Sequence, residues 1–141
     1  MAKVSVRIRS RLNEATREQL KKYEDSAKRI VFQGSALVRN TAVESIMKGA
    51  KSGVVYTKYN PKRVHKSSAA GEPPASDTGY LVSNIFQNID SGGMGASVES
   101  RANYSAYLEF GTTKMAARPF LQRALDENRP AIRRLYEKMK V

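Results

Sequence analysis

Residues 104–125 read YSAYLEFGTTKMAARPFLQRAL. An aromatic, apolar run stops at Gly111, crosses a short step, and restarts around Pro119. The first run fits one helical turn, and glycine commonly follows the end of a helix. Proline is tolerated at a first helical position, so Pro119 predicts a second helix that runs to about Lys138. The break between them is expected to set two apolar surfaces against one core.

Two aromatic rings flank this break. We expect Phe110 and Phe120 to anchor the two surfaces, and truncation of either ring to alanine would cost about 3–5 kcal/mol if it is buried. Pro130 lies inside the last helix, lacks a backbone N–H, and is expected to bend or interrupt it. The predicted apolar face of this helix comprises Phe120, Leu121, Ala124, Leu125, Ile132, Leu135, Tyr136 and Met139.

A hairpin is predicted immediately upstream. Two runs, 82–90 and 96–102, flank the glycine-rich segment SGGMG, which predicts an antiparallel pair of strands around a tight tip. SGGMG lacks the lysine of a phosphate-binding loop and precedes a strand, so we interpret it as the hairpin tip. The triplet Asp77-Thr78-Gly79 is a turn or cap signal that opens this part of the chain.

The N-terminal third changes periodicity once. Residues 3–9, KVSVRIR, alternate apolar and polar side chains and predict a short strand. From Asn13 to about Gly49, apolar positions recur every three or four residues and predict the longest helix. Gly34 marks either a close helix crossing or a kink, and we favour the kink. The helical stripe, more typical of a core face than of a coiled-coil seam, comprises Leu20, Tyr23, Ala27, Ile30, Gly34, Leu37 and Thr41.

Residues 51–76 have a distinct composition. They hold three of the five prolines and two glycines without convincing periodicity, which predicts a long exposed arm. No acidic residue lies between Glu44 and Glu72, so an acidic partner would meet the arm first. Its surroundings carry Lys48, Lys51, Lys58, Lys62, Arg63 and Lys66 around Tyr56 and Tyr59.

The length and the net charge of the chain limit which class of protein it can be. The chain has 141 residues, which suits one domain over 1–141, and no cysteine for a disulfide or thiolate metal site. Its 25 Lys and Arg against 13 Asp and Glu give a net charge of +12, which favours polyanionic partners. No window approaches the roughly 18 apolar residues of a membrane span, so we expect a cytoplasmic, soluble protein. We predict an α+β fold, with a long N-terminal helix and a C-terminal helix packed on a small antiparallel sheet and a long basic loop.

Residues capable of chemistry are few. His65, the single histidine, has no carboxylate within six residues, so we interpret it as an exposed loop residue rather than a base or metal ligand. Glu109 is interpreted as a structural hydrogen-bond acceptor or an interface ion-pair partner rather than a general acid. No acidic cluster has the spacing of a calcium loop. The sequence predicts no catalytic residue, no cofactor and no metal.

Four segments in order carry a resemblance: GEPPASDTGYL at 71–81, the glycine-tipped hairpin, YSAYLEFGTTKM at 104–115, and ARPFLQRAL at 117–125. Over residues 70–126 the chain resembles the tail-component family of tailed bacteriophages, the neck or tail-completion proteins of long-tailed viruses. Pro130 and the length of the basic arm are less typical of that family. The matching residues are Asp77, Thr78, Gly79, Leu81, Tyr104, Glu109, Phe110, Gly111, Thr112, Arg118, Pro119, Phe120 and Leu121.

The resemblance implies a virion structural protein without enzymatic activity. Its expected form is a homo-oligomeric ring, six- or twelvefold, at the head–tail junction, with a channel for DNA passage. The implied partners are connector or head-closure proteins on one side and tail terminator or tube proteins on the other. The implied location is the virion, with the host cytoplasm during assembly, and no membrane is involved.

Aromatic side chains among uncompensated positive charges suit an interface, so we expect the arm to reach a neighbouring subunit or an acidic ring and become ordered there. The same charges suit DNA in the channel, and a basic nucleic-acid-binding domain is the alternative function. A nuclease or toxin ranks third because no acid–base constellation is visible. The predicted interface comprises Tyr56, Lys58, Tyr59, Lys62, Arg63, Glu109 and Arg118. The predicted structural motif comprises Asp77, Thr78, Gly79, Leu81, Phe110, Gly111, Thr112, Pro119 and Phe120.

Overall fold

Four helices and two antiparallel hairpins make up the part of the chain that the computed structural model describes, residues 2–49, 51–59 and 62–139. β1 pairs only with β2, and β3 only with β4. A long first helix, a C-terminal helix and small antiparallel sheets confirm the α+β prediction. In chain order the elements are α1 (Ala2–Lys48), β1 (Val55–Lys58), β2 (Arg63–Lys66), α2 (Tyr80–Ser83), β3 (Ile85–Ile89), β4 (Ala96–Ser100), α3 (Ser105–Phe110) and α4 (Leu121–Glu137).

The predicted strand at residues 3–9 is wrong, because α1 begins at Ala2 and includes them. Valine and isoleucine cost less than about 0.7 kcal/mol each in a helix relative to alanine. A strand, in contrast, requires a neighbouring strand to satisfy its backbone groups. Neither described sheet includes a strand from residues 3–9, and the helix satisfies their backbone groups within the chain instead.

The predicted apolar stripe of α1 is confirmed in its middle, but the prediction is wrong at both ends. Ala27, Ile30 and Gly34 are buried, but every described side chain from 14 to 25 is exposed, including Leu20 and Tyr23. This half of α1 therefore lies outside the core. After Gly34 the buried positions continue at intervals of four rather than at Leu37 and Thr41. They are Val38, Ala42 and Ile46.

α1 and α4 cross closely at Gly34. A Cβ atom at this position would lie 3.1 Å from Ile132 Cγ1, so any side chain would press on α4. This favours the close helix crossing over the kink. The core on this side of the molecule consists of Val38, Ala42, Ile46, Leu81, Ile85, Ala102, Phe120 and Ala124.

α4 begins directly after Phe120 and continues through Pro130 to Glu137, so the expected interruption does not occur. Pro130 is exposed. The carbonyl of Asp126, which loses its helical partner because proline has no N–H, also belongs to an exposed residue that water can reach.

The glycine-tipped hairpin is confirmed. β3 and β4 pair antiparallel with Gln87 opposite Val98, and Gly93 adopts a left-handed φ of 73° near the tip. β3 starts at Ile85 rather than 82 because the short α2 occupies the preceding residues. Within the described residues, no helix combines the length and hydropathy needed to cross a membrane.

Candidate assembly surface

The basic arm contains a hairpin that its residue pattern did not predict. β1 and β2 pair antiparallel, with Val55 opposite Lys66 and Lys58 opposite Arg63. Side chains of directly opposed residues project from the same face of a sheet, so the hairpin has two faces of different chemistry. The inner face carries Tyr56, Lys58, Arg63 and His65. The outer face carries Val55, Thr57, Val64 and Lys66.

Asp77 ties the inner face to the rest of the chain. Lys58 Nζ donates to Asp77 Oδ2, and Arg63 Nη2 lies 3.2 Å from Oδ1. The hydrogen bond from Lys58 is the main cause that lowers the pKa of Asp77, and the charge of Arg63 adds to it. His65 Nδ1 is 3.8 Å from the same carboxylate, and the histidine side chain is only 16 % exposed. The expectation of an exposed histidine is therefore wrong, because its acidic neighbour lies beyond the sequence window that predicted it.

A second acidic residue, Glu72, joins the two ends of the arm by hydrogen bonds. Its Oε2 accepts from the backbone N–H groups of Ser52 and Ala69, each at 2.8 Å, and its Oε1 accepts from the Ser52 hydroxyl. These bonds, with that from Ala69 the largest, lower the pKa of Glu72 to about 2. The N–H of Gly71 also donates to the carbonyl of Ala117 at 3.1 Å. The arm is therefore fastened to the segment that precedes α4.

The outer face and the tip of the hairpin carry exposed apolar groups. Val64 is 72 % exposed and Val55 57 %, and Tyr59 at the tip is also exposed. Of the predicted interface residues, Tyr56, Tyr59 and Lys62 are thus accessible, whereas Lys58 and Arg63 contact Asp77. The hairpin presents a mostly uncharged outer face with one lysine.

Glu109, on α3, binds the start of α4 across the break between the two helices. Its carboxylate accepts from the backbone N–H groups of Phe120, Leu121 and Gln122 at 2.8 to 3.0 Å. These N–H groups belong to the first turn of α4 and have no partner inside the helix, and a carboxylate also complements the helix dipole there. Glu109 is a structural acceptor, the first of the two roles expected of it.

Gly111 makes the turn that brings Glu109 back to α4. It adopts a φ of 75°, and a Cβ atom would lie 2.8 Å from both Ala117 N and Met115 O. Thr112 pairs with Met115 in an isolated antiparallel bridge. The backbone groups of Thr112 and Met115 thus satisfy each other within the turn.

The two flanking phenylalanines differ. Phe120 is 1 % exposed and lies in the core, as predicted. Phe110, the last residue of α3, is 82 % exposed, so the prediction that it anchors the core is wrong. The helical turn of α3 directs it away from the core, and its ring lies at the rim of a groove.

This groove, which we call the α-groove, lies between α1, β4, α3 and α4 and has a volume of about 730 Å³. Its described lining is mainly apolar, and its charged members are Glu99 and Glu109, with no lysine or arginine among them. Glu99 forms an ion pair with Arg101 at 2.7 Å and remains half-exposed. The apolar lining includes Ile30, Val38, Val98, Phe110, Leu125 and Ile132.

Arg118 lies elsewhere, near the attachment of the hairpin. It lines a small polar pocket of about 210 Å³ together with His65, Ser68 and Asp77. Arg118 Nε and the Ser68 hydroxyl are both buried without a hydrogen-bond partner among the described residues. The structure thus brings Arg118 close to the inner face of the hairpin, while Glu109 lines the α-groove.

The remaining motif residues shape the entry to α2. Gly79 adopts a φ of 79°, the Thr78 hydroxyl accepts weakly from the N–H of Tyr80 at 3.4 Å, and Leu81 is buried. Across residues 2–49, 51–59 and 62–139, no three His, Asp or Glu side chains are grouped as a metal ion would require. No family model, curated protein or solved structure matches the chain.

Proposed function

We propose that this chain is a virion structural protein of a tailed bacteriophage, which forms a homo-oligomeric ring at the head–tail junction. The observation that carries the proposal is the apolar α-groove of about 730 Å³ together with Phe110, which is 82 % exposed beside it. An exposed apolar surface of this kind is typical of a site that contacts another protein.

The chemistry of this surface also supports assembly. The buried centres of protein–protein interfaces are enriched in aromatic and other large apolar side chains. Here large apolar side chains are exposed on α1, on the basic hairpin and beside the α-groove. They include Leu20, Tyr23, Phe32, Met47, Val55, Tyr59, Val64, Tyr107 and Phe110.

The motifs at 71–81, 104–115 and 117–125 support the location. They resemble the phage tail-component family, and Glu109 and Gly111 have clear architectural roles in the part that resembles it. In this proposal the ring, six- or twelvefold, joins the connector or head-closure ring to the tail terminator or tube. It leaves a channel for DNA and has no enzymatic activity.

The proposal is tested by locating the chain in intact particles. An epitope appended to the C-terminus and labelled with gold-conjugated antibody should appear at the neck, between head and tail. Particles made without the protein should accumulate as separate heads and tails. Label elsewhere, or normal joining without the protein, would contradict the proposal, as would a monomer whose main property is salt-sensitive binding to DNA.

A further inference from the structure

We propose that the small polar pocket beside Arg118 binds a free oxyanion of the phosphate class, and that the bound anion ties the basic arm to the core. His65 and Ser68 line this pocket from the arm, and Arg118 lines it from the segment that precedes α4. The inference goes beyond the proposed ring and does not depend on it, because the pocket lies within one subunit.

Two buried hydrogen-bonding groups of this pocket have no partner. Ser68 is 2 % exposed, and its hydroxyl forms no hydrogen bond with the described residues. Arg118 Nε is buried in the same way. Folded proteins leave few buried polar groups unpaired, so two such groups in one small pocket need a common explanation. A single ligand that accepts from both groups supplies it.

The charges around the pocket favour an anion. Arg118 forms no ion pair within the part of the chain that the structure describes. Asp77 is the one carboxylate among the described lining residues, and Lys58 and Arg63 already engage its two oxygens. The three cationic side chains therefore exceed this single negative charge by two. Surplus positive charge beside buried donors attracts a negatively charged ligand.

The size and the lining of the pocket limit the kind of anion. Its volume of about 210 Å³ is below the roughly 300–1,000 Å³ of pockets that hold drug-sized molecules, so a small ion fits better than a nucleotide. Tyr80 and Tyr104 line one side, with ring centroids 6.0 Å apart. Burial raises the pKa of Tyr104, so its hydroxyl stays protonated and adds no negative charge. An arginine with nearby hydroxyl groups suits the oxygens of a phosphate.

A bound anion would connect two parts of the chain that are distant in sequence. Ser68 follows β2 in the arm, whereas the N–H of Arg118 donates to the carbonyl of Leu108 at 2.6 Å, which holds Arg118 beside α3. An anion that accepts from both side chains adds a link to those that Asp77 and Glu72 already make. A ligand that binds only this folded arrangement stabilises it by mass action.

The experiment titrates the full-length protein with inorganic phosphate, against sodium chloride of equal ionic strength, and follows calorimetry and thermal unfolding. Phosphate stays below about 10 mM, because concentrated phosphate stabilises most proteins by its exclusion from their surface. We expect the melting temperature to rise and then saturate. Arg118→Gln should raise the dissociation constant at least about tenfold, since it removes a charged hydrogen-bond donor. Arg133→Gln, an exposed arginine of α4 outside the pocket, is the matched control and should bind phosphate as wild type does.

Ser68→Ala separates a ligand contact from a structural role. The Ser68 hydroxyl has no partner among the described residues, so its removal should leave the melting temperature in chloride unchanged or higher. The same change should reduce the rise that phosphate produces. A structural serine would instead lower the melting temperature equally in both solutions. Circular dichroism checks that Arg118→Gln is folded, and Ser68→Ala decides the question if it is not.

Trypsin gives a second measurement that is local to the arm. Phosphate should slow cleavage after Lys62 and Arg63 in wild type but not in Arg118→Gln. Equal melting temperatures of wild type in phosphate and chloride would overturn the inference, as would equal phosphate affinity of wild type and folded Arg118→Gln. A short DNA duplex that bound through Arg118 while inorganic phosphate had no effect would also overturn it. Each of these results leaves the proposed ring standing.

Discussion

The carboxylate of Glu109 receives three backbone N–H groups at the start of α4. Glu109→Gln keeps one acceptor oxygen but removes the charge that favours the helix N-terminus. We expect it to lower the free energy of unfolding by about 0.5–2 kcal/mol, the usual range for loss of a helix cap. Urea denaturation measures this. Glu127→Gln, an exposed change on the same helix, should stay within about 0.5 kcal/mol of wild type.

Phe110 and Phe120 form a matched pair of substitutions. Phe120→Ala removes a ring that is 1 % exposed and should cost about 3–5 kcal/mol. Phe110→Ala removes a ring that is 82 % exposed and should change the stability of the isolated subunit by about 0.5 kcal/mol or less. Chemical denaturation at a concentration where the chain is monomeric compares the two. Equal losses would contradict the assignment of Phe120 to the core and Phe110 to the surface.

At this scale the sequence predicted local chemistry better than long-range contacts. The turn at Gly111 and the acceptor role of Glu109 follow from residues within 13 positions of each other in the chain. The exposure of Phe110 depends on how α3 is oriented against the core, which a run of aromatic residues does not define. The contact of His65 with Asp77 was missed for a similar reason, since the residues between them must fold back to bring the two together.

Among the elements, the basic hairpin depends on Asp77. The pKa of Asp77 is lowered from its ordinary value of 3.8. The Asp77 carboxylate therefore stabilises the attachment fully above pH 3.8, and this stabilisation is lost as the pH falls below that value. Asp77→Asn should loosen the hairpin at neutral pH as well. Trypsin should then cleave after Lys62 and Arg63 faster than in wild type. Asp25→Asn, an exposed change on α1, serves as control, and equal cleavage in both variants would contradict the role of Asp77.

Glu72 gives the base of the same arm a pH dependence. Its pKa falls from an ordinary 4.5 to about 2, so its contribution to stability is complete above pH 4.5 and disappears as the pH approaches 2. Glu72→Gln should lower the melting temperature at neutral pH and flatten its decline over this acidic interval. Thermal unfolding followed across that interval measures the effect. If the melting temperature of Glu72→Gln fell as steeply as that of wild type, other carboxylates would be the main cause of the loss of stability in acid.

Helices and strands could be predicted where a single local sequence pattern was clear. The long helix, the glycine-tipped hairpin and the helix after Pro119 each have a clear period or turn residue and are confirmed. Residues 3–9 have an alternating pattern yet are helical, because no strand pairs with them. The alternation of Val55 and Thr57 in β1 was a usable signal, but the prolines and glycines around it favoured an unstructured arm.

The whole molecule combines a small core with extensive exposed surface. Its core residues come from the second half of α1, from α2, from β3 and the segment after β4, and from the start of α4. The described residues 14–25 of α1 and the basic hairpin lie outside this core. The α-groove could not be predicted from the sequence, because four elements that are distant in the chain form its walls.

The central claim is that the chain assembles with copies of itself, and the native mass of the purified protein, with electron microscopy of the same sample, tests it most directly. The account predicts closed rings of six or twelve copies with an open centre. A monodisperse species of 15.7 kDa, with no rings at any protein concentration, would contradict it.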